Sequence, residues 1–101
     1  MWDTRPRDMA EVRRRNAEAN GHWFEPGTIR FFRSRVGSTL YGGRFFISSE
    51  RGPDEVRRYS IREAKEDGHI YTVGQFGRFR SWNGAAKAVR RLVKALAEET
   101  K

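Results

Sequence analysis

Cysteine is absent from the chain. That excludes a disulfide framework, a thiol nucleophile and any thiolate metal site. Proline occurs three times in 101 residues, and no Pro-rich tract, internal repeat or long linker divides the sequence. No apolar run approaches the roughly 20 residues that a membrane helix needs, and Met1-Trp2-Asp3-Thr4-Arg5-Pro6 lacks the apolar core of a signal peptide. The only two histidines, His22 and His69, are far apart and form no metal-ligand spacing. There is no GxGxxG, P-loop or HExxH. Ser48-Ser49-Glu50 lacks the nearby histidine and elbow of a serine nucleophile. No enzyme, catalytic residue, cofactor or metal is therefore expected.

Acid is the scarce charge. Thirteen Asp/Glu face 21 Lys/Arg for a net charge of +8, and all but four of the bases are arginine. No acid lies between Pro26 and Ser49, where Arg30, Arg33, Arg35 and Arg44 fall. None lies between Gly68 and Ala97, against Arg78, Arg80, Lys87, Arg90, Arg91 and Lys94. The segment between these blocks, Glu50 to Asp67, is nearly balanced, with six acids and five bases. Charge segregated in this way steers polyanions, and arginine's planar fork matches phosphate.

Residues 1–21 read as a basic helical arm. Asp8 and Glu11 have capping-box spacing, Asn20-Gly21 supplies a stop, and Met9, Val12 and a few alanines make a thin apolar stripe. Arg13, Arg14 and Arg15 run round that helix and offer phosphate contacts, or else a solvated face balanced by Asp8, Glu11 and Glu18. Residues 22–101 read as one α+β domain. Pro26-Gly27 turns the chain after Trp23 and Phe24. Residues 28–36 then fit a short helix capped by Thr28 and stopped by Gly37, with an edge strand as the alternative. Strands are expected at 44–49, 57–62 and 70–75, joined by Gly52-Pro53-Asp54 and Glu66-Asp67-Gly68 into a three-stranded antiparallel sheet. Ser81 or Asn83 caps a final helix with a wide stripe of Trp82, Ala85, Ala86, Val89, Leu92, Val93 and Leu96.

The C-terminal helix is expected to cover one sheet face: Phe45, Ile47, Tyr59, Ile61, Tyr71 and Val73. Period 2 then places Arg44, Phe46, Ser48, Arg58, Ser60, Arg62 and Thr72 on the other face, read as open. Guanidinium and hydroxyl donors there suit phosphates and base edges. Arg78 and Arg80, in the loop before the last helix, suit phosphate as well. The row Lys87/Arg91/Lys94 is a weaker signal, because bases near a helix C-terminus also answer the macrodipole.

From Tyr41 to Leu96, the strands followed by Gly74, Phe76, Ala85 and Ala86 resemble the β-β-β-α DNA-binding domains of the ethylene-response-factor and integrase arm-binding type. The resemblance implies strands in the major groove with the helix behind them, and Arg44, Arg58 and Arg62 as contacts. The helix start Ser81-Trp82-Asn83-Gly84-Ala85-Ala86-Lys87 is faintly similar to the double-stranded-RNA-binding domain. The segments Thr28–Arg35, Tyr41–Glu50 and Arg58–Arg62 are similar to small proteins of actinobacterial phages and other mobile elements, which implies the cytoplasm of a bacterial host cell. The expected function is non-enzymatic nucleic-acid binding, DNA ahead of RNA, through Arg44, Phe46, Arg58, Ser60, Arg62, Arg78, Arg80 and Arg13–Arg15. The alternative is docking on a host or defence protein through Trp23, Phe24, Phe31 and Phe46, since aromatics and arginine dominate binding hot spots. Either suits a monomer or homodimer, with no membrane partner.

Overall fold

The computed structural model describes residues 4–99; the first three residues of the expected arm lie outside them. The elements run α1 (Met9–Glu18), α2 (Pro26–Phe31), β1 (Arg35–Val36), β2 (Phe45–Arg51), β3 (Arg57–Ala64), β4 (Ile70–Val73) and α3 (Trp82–Glu99). The fold is α+β, with a four-stranded antiparallel sheet in the order β1-β2-β3-β4 and α3 as its C-terminal helix. Among the described residues, no helix is long and apolar enough to cross a membrane.

Three strands were expected, and the fourth comes from residues 28–36, which split between the two candidate conformations. Pro26 occupies the first helical positions of α2, where its missing N–H costs nothing. The helix therefore begins before Thr28, which does not cap it. It also ends before Gly37. Arg33 takes a left-handed conformation (φ 52°), and the Ser34 N–H reaches back to the Ile29 carbonyl at 2.8 Å. That is a Schellman stop with arginine where glycine is usual. The freed chain pairs as β1, with Arg35 opposite Ser49 and Val36 opposite Ser48.

Both faces of the sheet are covered. On one, Phe45, Ile47 and Ile61 pack against Ala85, Ala86 and Val89 of α3. Ser81 Oγ accepts the Gly84 N–H at 3.0 Å and fixes the start of this helix. On the other face, Met9 and Val12 of α1 close over Phe46 and Ala64, with Trp23, Phe24, Val36, Leu40 and Ile70 at the margin. The amino-terminal helix is thus part of the core and not a loosely held arm. Half of the expected capping box forms: Asp8 Oδ1 accepts the Glu11 N–H at 2.9 Å, while the Glu11 carboxylate passes over Asp8 and takes the Arg7 N–H at 2.6 Å.

Asn16 anchors the other end of α1. Its amide donates to the Gly68 carbonyl at 2.9 Å, and its oxygen accepts the Trp23 N–H at 3.2 Å. Gly68, in the β3–β4 turn, has φ 94°, and a Cβ there would collide with the Arg15 carbonyl. The close approach of helix to turn therefore requires glycine.

Phe46 is fully enclosed between the sheet and the Trp23–Phe24 turn, whereas Phe31 is 80% exposed. In urea titrations Phe46→Ala is expected to cost about 3–5 kcal/mol. Phe31→Ala should stay within about 0.5 kcal/mol of the parent. Similar midpoints for the two variants would contradict the roofed sheet.

Candidate nucleic-acid interface

The face expected to be open carries Phe46, Ser48, Ser60 and Arg62, and all four are buried. This corrects the sequence reading. Alternating hydroxyl and guanidinium side chains form a closed hydrogen-bond network instead of a solvated surface. Arg62 lies at its centre, 8% exposed. Its Nε donates to Ser48 Oγ at 2.9 Å, one terminal nitrogen donates to Thr72 Oγ1, and the other reaches Glu50 Oε1 at 3.3 Å. Its Cζ lies over both the Trp23 ring (5.1 Å from the centre) and the Phe76 ring (5.0 Å). Burial lowers the Arg62 pKa, with Glu50 partly offsetting it, but a guanidinium so held stays charged. Ser60 Oγ accepts the Gly77 N–H at 2.8 Å, which fixes the loop that presents Phe76.

The other two sheet arginines expected as contacts are neutralised. Arg44 Nε meets Glu63 Oε2 at 2.6 Å, and Arg58 meets Asp54 Oδ2 at 2.9 Å. In the arm, Arg15 is buried and donates to the Thr4 and Glu66 carbonyls and to Glu11. Arg14 pairs with Glu11 and Glu18. Arg13 is exposed and lies over the Phe24 ring at 4.7 Å. Of the proposed docking anchors, Phe46 is interior and Trp23 and Phe24 are half-buried against it, so only Phe31 stands free. Consecutive antiparallel strands with a helix behind them, which the β-β-β-α resemblance implied, are present. The resemblance fails at the opposite face, where α1 occupies the space a DNA groove would need.

Of the positive charge that remains, Arg13 is on α1 and Arg30 on α2, and the largest group is on α3. Among the described residues, Arg30, Arg35, Arg78, Arg80, Lys87, Arg90, Arg91 and Lys94 make no ion pair with a carboxylate. Four of them are on α3. Lys87, Arg90, Arg91 and Lys94 are exposed on the side opposite the buried Ala85, Ala86 and Val89. At the sheet end where α3 begins, register puts Arg35, Ser49 and Tyr59 on the α3 side together, with the Arg51–Arg57 pair beyond them. Trp82 of α3 packs edge-on to Tyr59 at 6.3 Å between ring centres.

Arg57 crosses β2 to donate to Ser49 Oγ at 2.9 Å and to the Arg33 carbonyl at 3.1 Å. Burial lowers its pKa first, and the neighbouring Arg35 and Arg51 cations lower it further. Three guanidinium groups therefore gather here, with Glu50 and Glu55 as nearby carboxylates, Glu55 being held by Arg33 and Arg51. The α3 row was legible in the sequence. The Arg35/Arg51/Arg57 group was not, because it depends on the pairing of β1, a strand of two residues.

No group of three or more His, Asp or Glu side chains suited to a metal ion occurs among the described residues. A family model, that of a family of unknown function (DUF7447), matches residues 8–90. No curated protein and no solved structure matches the chain.

The Arg44–Glu63 pair sets a pH dependence. Burial raises the Glu63 carboxyl, but hydrogen bonds from Arg44 and Lys65, with their charges, hold it below its ordinary value of 4.5. Its folded pKa thus lies below its unfolded one. The stabilisation is complete above the unfolded value and is lost as the pH falls through the folded one. Melting curves should show Tm dropping below about pH 4.5, and Glu63→Gln should flatten that drop. An unchanged acid slope in the variant would show that Glu63 does not carry it.

Proposed function

The chain belongs to the family of unknown function DUF7447, and we propose that it is a non-enzymatic nucleic-acid-binding protein of phage or mobile-element type. It grips phosphates from the α3 side, with duplex DNA the first polymer to test. The observation that carries this reading is the outer row of α3. The last turn of that helix holds no basic residue and ends in Glu98-Glu99, so the macrodipole does not account for Lys87, Arg90, Arg91 and Lys94. Their spacing sets like charges at i,i+4 and i,i+3, which costs a few tenths of a kcal/mol per pair. The row is therefore a liability to the fold and an asset to polyanion binding.

Arg78 and Arg80 in the loop before α3, and Arg35 and Arg57 at the sheet end where α3 begins, add further cations that make no ion pair among the described residues. Contacts of this kind are sequence-blind and dominated by counterion release. The α3-side row takes the place of the sheet arginines as the contact set, because Arg44, Arg58 and Arg62 already have carboxylate partners. Docking on a host protein is the second reading, and it has the 80% exposed ring of Phe31 in its favour.

Retardation of a short DNA duplex across a salt series tests the proposal. With about six phosphates engaged, log K should fall against log salt with a slope near −5. The triple variant Lys87→Gln/Arg91→Gln/Lys94→Gln should keep its fold and flatten the slope by about 3. A flat profile in the parent protein, or a triple variant that binds as the parent does, would end this reading. No retardation at low salt would leave docking through Phe31 in its place.

A further inference from the structure

On the α1 side of the sheet, at the end where Glu50 lies, is a pocket of about 250 Å³. Its walls are the rings of Trp23, Phe32 and Phe76, the hydroxyls of Thr28 and Ser34, and the Glu50–Arg62 pair. Two features set it apart from a simple gap in packing. Phe32 and Phe76 are more than half exposed at its rim (54% and 58%), so apolar rings meet solvent there. In addition, Glu50 Oε2 is enclosed and has no hydrogen-bond partner, while Oε1 receives only the 3.3 Å contact from Arg62. An enclosed carboxylate oxygen without a donor is a cost to the folded state, and a ligand N–H removes that cost once the Glu50 carboxylate turns toward the pocket it lines.

The chemistry of the pocket defines its occupant. Aromatic walls select a flat ring system, and hydroxyls at the margin serve ring nitrogens and carbonyls. The carboxylate asks for N–H donors. Arg62 already neutralises Glu50 and lies over the Trp23 and Phe76 rings, so a second cation would be repelled and a neutral donor is favoured. Two parallel N–H groups on adjacent atoms match the two oxygens of a carboxylate. Among the nucleobases guanine presents them, with its ring N1–H and 2-amino group side by side. Adenine and cytosine put an acceptor beside their amino group, and uracil flanks its single N–H with carbonyls.

We propose that this pocket binds an unpaired guanine base, stacked on Phe32 and Phe76 and hydrogen-bonded through N1–H and the 2-amino group to Glu50. A wider recess of about 610 Å³ shares Phe32, Glu50 and Phe76 with the pocket and carries Arg33 and Arg51. These two arginines share the single carboxylate of Glu55. One positive charge is thus left over for the phosphate of the same nucleotide. The proposal rests on the nucleic-acid reading and adds a base to a surface otherwise described only by its phosphate contacts.

Titration of the whole protein with GMP, followed by amide and indole N–H resonances, tests it. The Trp23 indole and the amides of Phe32, Ser34 and Phe76 are expected to shift. IMP, which lacks the 2-amino group, should bind at least about tenfold more weakly. Inorganic phosphate should leave the Trp23 indole and the Ser34 amide unmoved, since neither residue lines the recess. Phe32→Ala keeps the Glu50–Arg62 pair and should weaken GMP binding, and Glu50→Gln should weaken it further. Equal binding of GMP, IMP and AMP, the same shifts with phosphate alone, or no shift at millimolar GMP would each overturn the proposal. Mononucleotides do not depend on the α3 row. A protein that retards DNA but ignores GMP therefore loses this inference alone, and one that seats GMP but fails to retard DNA loses the phosphate reading alone.

Discussion

The fold turns on one buried cation. Arg62 extends from the middle of β3 and satisfies its donors with Ser48 on β2, Thr72 on β4 and Glu50 at the far end of β2. A guanidinium away from water is tolerated only when its donors and its charge are both answered. Three strands are locked together by that requirement. The same group lies over the rings of Trp23 and Phe76, so Arg62 also draws in the turn after α1 and the loop after β4. Serines at 48 and 60 follow from this arrangement, because larger side chains would leave no room for the cation or for the bond from Gly77. Removing Glu50 or Arg62 alone strands the other in a low-dielectric setting, a larger penalty than the pair's net contribution.

The same pairing logic explains where charge is left over. Glu11, Glu50, Asp54, Glu55, Glu63 and Glu66 are held by arginines on the α1 side or at the sheet ends. Most pairs that are exposed are worth a few tenths of a kcal/mol to about 1 kcal/mol. Their larger effect is on the distribution of potential. With the carboxylates engaged there, the acid-free stretch from Gly68 to Ala97 supplies Arg78, Arg80 and the α3 row with no counter-ion of their own.

The α3 helix was legible because 3.6-residue periodicity over 18 residues has a single interpretation. The strands expected at 57–62 and 70–75, found at 57–64 and 70–73, and their turns were legible for a similar reason. The role of the second sheet face was not. Period 2 assigns residues to faces, but a solvated face and a buried polar network use the same residues, and Arg62, Ser48, Ser60 and Thr72 fit both. What distinguishes them is distant in sequence: α1 and the Trp23–Phe24 turn. One clue was present in Phe46, an aromatic amid hydroxyls and guanidiniums, with Met9, Val12, Trp23 and Phe24 otherwise lacking a surface to cover. The split at 28–36 was hidden because the stop at Arg33 uses a residue that seldom adopts a left-handed conformation. Glu50 as a pocket residue was hidden because its partner, Arg62, is 12 positions away.

On the nucleic-acid reading proposed above, stability and binding are separated in space. The α1 side spends nearly all of its arginines on structure, and a change there alters folding before it alters any surface. On α3 the apolar stripe holds the helix in place, and the cations opposite it contribute nothing to that packing. Neutralising them relieves repulsion, so a loss of polyanion affinity in such variants cannot be traced to unfolding. A change that weakens binding while leaving stability unchanged or higher marks residues maintained for a partner. In this chain the physical case for such residues is strongest where four cations share one face of a helix whose own dipole has no use for them.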